Sequence, residues 1–125
     1  MPEQDLVVLI VDDDLINLKL LKSMLMKSGS VKEVVEVRNG AEAIDTLKSR
    51  DDINLILLDI IMPVMGGIEM LKVVRADDNL NQLPIIVLTT DETKKSEALE
   101  CGANDFLMKP IRNNDLIKKI SAVLI

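Results

Sequence analysis

Leu6-Val-Val-Leu-Ile-Val-Asp-Asp-Asp14 joins six apolar residues to three carboxylates. The apolar run is rich in β-branched side chains and does not alternate with polar ones. It reads as a strand buried on both faces, the kind a parallel sheet places at its centre. The acidic triplet then marks where the strand leaves the core. Two further runs follow the same rule. Leu55-Ile-Leu-Leu58 is apolar throughout and ends at Asp59, and Pro84-Ile-Ile-Val-Leu88 ends at Thr89. Two weaker runs complete the set. Val34-Val-Glu-Val37 carries Glu36, the mark of an exposed face or a sheet edge. Asp105-Phe-Leu-Met108 is short and ends at Lys109-Pro110.

Amphipathic stretches separate these runs. From about Leu15 to Ser28, Leu18, Leu21 and Leu25 share one face, and Gly29 follows as a stop. Asn39-Gly40 ends the second strand, and Ala43, Ile44 and Leu47 mark a second helix. Pro63 and Gly66-Gly67 form a loop before a helix with Ile68, Leu71 and Val74 or Arg75 at its turns. Glu92 to Cys101 reads as a fourth helix, stopped by Gly102. Asn113 or Asn114 can cap a last helix with Leu116, Ile117, Ile120 and Leu124 on its inner side. Five βα units without linker or repeat imply one α/β domain over residues 1–125. Its sheet should be parallel, five-stranded and doubly wound, with helices on both faces. A closed eight-stranded barrel needs about twice this length. The three wholly apolar strands should be central.

Composition removes several functions. The chain has 125 residues, no His, Trp or Tyr, one Phe and one Cys. No Ser-His-Asp or Cys-His system can be built within it, nor a His-ligated metal site or an internal disulfide. A net charge of −6 opposes binding to nucleic acid, and aromatic stacking platforms are missing. No apolar run near the start is long enough to span a membrane. Glu3 and Asp5 stand where a signal peptide would carry positive charge. A cytoplasmic protein without membrane or nucleic-acid contact is expected.

In an open doubly wound sheet, ligands sit beyond the carboxyl ends of the strands. Four of the five strands deliver polar groups there: Asp12, Asp13 and Asp14, then Asp59, Thr89 and Lys109. Two like charges 4 Å apart cost about 4 kcal/mol at an effective dielectric of 20, so clustered carboxylates need a counter-charge. Oxygen-only ligands suit a hard divalent cation such as Mg²⁺. With Lys109 added, the set would draw electron density from a phosphoryl group placed at Asp59. Each residue has a plainer explanation. An acidic triplet is commonly a solvated turn or a helix N-cap, which suits Asp14, and a Thr ending a strand is commonly a local cap. Coincidence explains poorly why all four groups fall at strand carboxyl ends.

Over essentially its whole length the chain resembles the receiver domains of bacterial two-component response regulators. The likeness rests on Leu9-Ile-Val-Asp-Asp-Asp14, Leu57-Leu-Asp-Ile-Ile-Met-Pro-Val-Met-Gly-Gly67, Val87-Leu-Thr-Thr90 and Gly102-Ala-Asn-Asp-Phe-Leu-Met-Lys-Pro110. It implies a flavodoxin-like (βα)5 fold with strand order 2-1-3-4-5. By the same resemblance Asp59 is the phosphoacceptor. Asp13 is a direct metal ligand, Asp12 its neighbour acting often through water, and the Ile61 backbone carbonyl completes the Mg²⁺ shell. Thr89 is the hydroxyl that moves onto the phosphoryl oxygens, Lys109 pairs with them, and a cis bond precedes Pro110. Phe106 stands where the family has the aromatic residue that fills the space Thr89 vacates, although it is also a natural core residue. Ile61 and Asp91 occupy positions that tune phosphoryl lifetime. Gly66 departs from the Asp common in the family, which should alter loop stiffness. Asn17 is similar to its counterpart in receivers of hybrid kinases.

The resemblance implies a sensor histidine kinase or a histidine phosphotransfer protein as donor, since the chain has no His of its own. It also implies a downstream protein target, or a homodimer, on the face of the fourth helix, fifth strand and fifth helix. The chain reads as a signalling domain that assists its own phosphorylation and dephosphorylation, not as an enzyme. Met1 suits a natural start, and the chain ends at Ile125, immediately after the last helix and with no helix-turn-helix after it, as in a stand-alone receiver or in one separated from its output domain. Three other classes compete. A Mg²⁺-dependent phosphatase would use Asp12 as nucleophile and Asp14 as acid, leaving Asp59 without a role. A flavodoxin-like electron carrier would need a phosphate loop and aromatic residues that are missing. A receiver-like binding module would not need the full acceptor set.

Overall fold

A computed structural model describes residues 6–124 of the chain. Met1, Glu3, Asp5 and Ile125 lie outside the described residues. The elements follow in the order β1 (Leu6–Val11), α1 (Leu15–Lys27), β2 (Val31–Val37), α2 (Gly40–Ser49), β3 (Leu55–Asp59) and α3 (Gly67–Ala76). Then come β4 (Ile85–Thr89), a short 3₁₀ turn (Glu92–Lys94), α4 (Lys95–Glu100), β5 (Asp105–Met108) and α5 (Asn113–Val123). The five strands form one parallel sheet in the order β2-β1-β3-β4-β5. The wholly apolar strands β1, β3 and β4 are therefore central.

The alternation of strand side chains splits the core in two. Val7, Leu9 and Val11 point towards α2, α3 and α4 with Ile44, Leu71, Val74 and Ala98. Val8 and Ile10 point the other way, towards Leu18, Leu21 and Leu25 of α1 and Leu116 and Ile120 of α5. With almost no aromatic volume available, interdigitated aliphatic chains fill both layers. Removing one such chain, as in Leu9→Ala, would cost about 2–5 kcal/mol.

Three boundaries differ from the sequence reading. β2 starts at Val31, not Val34, because Val31 pairs with Leu6. Lys32 and Glu33 are exposed on this edge strand, which hides the strand pattern. The fourth helix does not run unbroken from Glu92. Asp91 accepts from the Thr93 N–H at 3.0 Å and winds a tight turn before α4 begins at Lys95. Neither Asn113 nor Asn114 caps α5: the cap position is Arg112, without a side-chain bond, and Asn113 is already helical. Of the pair left open in α3, Val74 is buried, whereas Arg75 reaches out to the Gly102, Asn81 and Leu83 carbonyls and the Asn104 side chain. That guanidinium ties α3 to the start of β4 and the turn before β5.

The loop from β3 to α3 turns sharply at Val64. Its φ is 67°, and the Met65 N–H donates to the Pro63 carbonyl at 2.8 Å, closing a three-residue turn. A β-branched residue is poorly suited to positive φ. Val64 is also 82% exposed, so its side chain contributes little packing in return. Val64→Asn should therefore stabilise the fold by about 1 kcal/mol, read as a higher urea midpoint at unchanged slope. An unchanged or lower midpoint would show that the turn is not strained.

Candidate functional site

β1, β3 and β4 are hydrogen-bonded in register, so their carboxyl ends open on one rim. Asp12 follows β1 directly, Asp59 is the last residue of β3, and Thr89 is the last of β4. Lys109 follows β5 and is anchored by its own N–H, which donates to the Thr89 carbonyl at 2.7 Å. The bond from Lys109 to Pro110 is cis.

The side chains converge. Asp12, Asp13 and Asp59 each place a carboxylate oxygen within 4.8 Å of the others. Lys109 Nζ lies 3.4 Å from Asp12 Oδ2 and 3.3 Å from Asp59 Oδ1. Asp12 and Asp59 are buried, whereas Asp13 is exposed. Asp12 is fixed further by the Asp14 N–H, which donates to its Oδ1 at 2.9 Å. Asp14 itself caps α1 through the Ile16 N–H, so the plainer explanation holds for this third aspartate. Burial and the neighbouring Asp12 charge push the Asp59 carboxyl up to about 6, with Lys109 pulling the other way and Asp13 adding to the rise.

Three carboxylates facing one ammonium leave negative charge in excess. An all-oxygen donor set with that excess is compatible with a hard divalent cation. The Ile61 carbonyl accepts no hydrogen bond from any described group, although the Ile61 side chain is exposed.

Two expected residues stand apart from the cluster. The Thr89 hydroxyl accepts from the Asp91 N–H at 3.0 Å. It is engaged with the β4–α4 loop and not with Asp59. Phe106 is half-buried on β5, paired with Val87 of β4, and packs against the α2–α3–α4 layer. Gly66 leaves α3 without a side-chain cap, a direct result of its missing side chain. A cavity of about 500 Å³ opens elsewhere, against Leu47, Arg50, Ile53, Asp77 and Leu80, and is not lined by Asp12, Asp13, Asp59, Thr89 or Lys109.

The sequence reading missed the support of the site. Gly67 lets the start of α3 lie against the backbone of Asp59 and Ile60. Gly40 does the same for Met65, whose carbonyl accepts the Gly40 N–H at 3.0 Å. Glycine after a strand or a loop is the only sequence signal for such approaches, and it does not say what approaches.

Comparison with known proteins agrees with this fold. Residues 8–121 match the response regulator receiver domain family. The chemotaxis protein CheY1 of Helicobacter pylori is 34% identical over 118 residues, 93% of this chain and 94% of that protein. The two-component response regulator ARR21 of Arabidopsis thaliana is 38% identical over 112 residues, 89% of this chain but 18% of that protein. The receiver domain of the sensor histidine kinase PA1611 from Pseudomonas aeruginosa has a magnesium ion coordinated in its active-site cleft. It superimposes with a TM-score of 0.86 at 27% identity, covering 95% of this chain and 97% of that one.

Proposed function

The chain belongs to the response regulator receiver domain family, and on that premise we propose that it is a phosphoacceptor switch acting through Asp59. The observation that carries this reading is the placement of Asp59. It is a buried carboxylate at a strand end, 3.3 Å from a lysine ammonium and beside two further carboxylates. Asp12, Asp13 and the Ile61 carbonyl would hold Mg²⁺ with Asp59. Bound there, Mg²⁺ would neutralise charge on the phosphoryl oxygens.

The donor is a phosphohistidine on a sensor histidine kinase or phosphotransfer protein. Asp59 attacks the phosphorus, the phosphorus–oxygen bond forms, and the phosphorus–nitrogen bond to the partner's imidazole breaks. Transfer of this kind needs mainly positioning and charge neutralisation. Lys109 supplies the fixed positive charge. The product carries roughly one more negative charge and extra acceptor oxygens. Thr89 then leaves the Asp91 N–H and turns onto them. The consequences reach a protein target, or a second copy of the chain, through α4, β5 and α5. The chain acts in the cytoplasm as a signalling domain, not as an enzyme with a separate substrate. Among the described residues no helix is long and apolar enough to cross a membrane.

The aspartyl-phosphatase reading leaves Asp59 without a role, although Asp59 shares the Lys109 ammonium with Asp12, and its acid Asp14 is exposed and caps α1 through the Ile16 N–H.

Acetyl phosphate with Mg²⁺ should add one phosphoryl mass to the intact protein, and Asp59→Asn should abolish the gain. Undiminished labelling of Asp59→Asn would remove Asp59 as acceptor. Lys109→Ala should leave Mg²⁺ affinity the same or tighter, since a positive charge leaves the rim. The response of Thr89 to phosphorylation, followed by NMR, should fail in that variant. Loss of all metal binding in Lys109→Ala would mean that the lysine organises the site and does not merely answer the phosphoryl group.

A further inference from the structure

Phe106 is the only aromatic residue of the chain, and a lysine sits on its ring. Lys95 Nζ lies 4.3 Å from the ring centroid, and Lys119 Nζ lies 5.9 Å from it. Lys95 opens α4, Phe106 belongs to β5, and Lys119 belongs to α5. Lys119 also pairs with Asp105 at 3.0 Å, so its charge is already partly answered. Lys95 has no such carboxylate among the ion pairs of the described residues. The shorter contact is thus also the less compensated one. A cation over a ring face is held by the ring's quadrupole. Phenylalanine has no hydroxyl with which to anchor its ring, so beyond its apolar packing the two lysine contacts are what hold it.

The same segment ends at Thr89. The Thr89 hydroxyl holds the Asp91 N–H, Asp91 holds the Thr93 N–H, and Lys95 comes two residues later. Phe106 pairs with Val87, which faces the same side of β4 as Thr89. Seven residues, 89–95, therefore connect the hydroxyl at the acceptor rim to the cation on the ring.

We propose that Lys95 is a positioning residue that clamps Phe106 in its resting place, with Lys119 as a weaker second contact, and that movement of Thr89 releases this clamp through the segment 89–95. The proposal rests on the acceptor reading above and deepens it: it names what holds the switch in its unphosphorylated state. Loss of the Lys95 contact lowers the cost of switching. A contact of this class corresponds to about a 2–5-fold change in an equilibrium.

The test uses protein labelled with ring-¹³C phenylalanine, which contains one labelled ring. Lys95→Met keeps an apolar stem and removes the charge. Lys94→Met is the control, since Lys94 faces Glu97 at 3.9 Å. Before any phosphoryl donor is added, Lys95→Met should shift the Phe106 resonance towards its phosphorylated position, and Lys94→Met should not. With acetyl phosphate and Mg²⁺, Lys95→Met should reach half-switching at about 2–5-fold less donor. A Lys95→Met resonance coincident with wild type and Lys94→Met, or an unchanged half-switching point, would overturn the clamp. Loss of phosphoryl uptake by wild-type protein, read by mass, would sink the acceptor reading separately. The resting resonance needs no donor and judges the clamp in either case.

Discussion

Gly67→Ala is expected to destabilise the fold by about 3 kcal/mol and to remove Mg²⁺ binding and phosphoryl uptake together. A Cβ at this position would overlap the Asp59 carbonyl oxygen and lie 2.7 Å from the Ile60 Cα. Both obstacles are backbone, and no side chain can swing away to make room. The Gly67 N–H also donates to the Ile60 carbonyl at 2.8 Å, which fixes the approach. Relief has to come from moving the end of β3 or the start of α3, and the end of β3 is Asp59 itself. Gly66→Ala is the internal comparison. Its Cβ would meet nothing nearer than the Ile60 carbonyl at 3.2 Å, so its cost should stay within about 1 kcal/mol. Urea unfolding and Mg²⁺ titration measure both effects. A Gly67→Ala protein as stable as wild type and still able to bind metal would show that α3 does not press on the acceptor strand.

Asp59→Asn should stabilise the metal-free protein at pH 7.5 by about 1–2 kcal/mol. The sign follows from the direction of the shift. Asp59 titrates near 6 in the folded chain against an ordinary value of 3.8, so the folded state holds this proton more tightly than the unfolded state does. Its contribution is fully present below pH 3.8 and is lost as pH rises through about 6. At neutral pH the buried charge opposes folding. Two pH units of displacement correspond to about 3 kcal/mol; solvent at the rim screens part of it, and the amide takes a counter-charge from Lys109, which reduces the part the variant recovers. The advantage of the variant should therefore be largest at pH 7.5 and shrink towards pH 4. Saturating Mg²⁺ should reverse it, since only the wild type keeps the full carboxylate set. Thermal melts in chelator and in Mg²⁺ at the two pH values measure this. A variant less stable than wild type at pH 7.5 without metal would contradict the electrostatic account.

Most of the fold was legible because burial writes itself into strands directly. Leu6–Val11, Leu55–Leu58 and Ile85–Leu88 are buried on both sides, so no alternation confuses them. β2 looks shorter in sequence than it is because an edge strand needs only part of its length to be apolar, and Lys32 and Glu33 meet solvent there. The segment after β4 reads as one helix in sequence because a tight turn and a helix share a spacing too short to separate over three residues. Its boundary is set by the bonds of Asp91, which no periodicity reveals. α1 shows a further limit. Leu15, Ile16, Leu20 and Met26 are exposed on it, so its apolar residues alone do not mark its buried face.

The site was legible for a different reason. A parallel sheet collects the residues after its strands on one rim, so the positions of Asp12, Asp13, Asp59, Thr89 and Lys109 followed from topology and residue type. Their supports did not. The close approaches at Gly40 and Gly67, the four acceptors of Arg75 and the cation over Phe106 join residues far apart in sequence. A single chain with no second sequence beside it carries no signal for such pairs.

The central claim is that the phosphoryl group resides on Asp59. An aspartyl phosphate is an acyl phosphate, and borohydride reduces it to homoserine at the modified position. The protein should be treated with acetyl phosphate and Mg²⁺, reduced, cleaved and sequenced by mass spectrometry. Homoserine at position 59, absent when Mg²⁺ is chelated, is the result this account predicts. Homoserine at position 12 or 13, or none at all from protein that has gained phosphoryl mass, would contradict it.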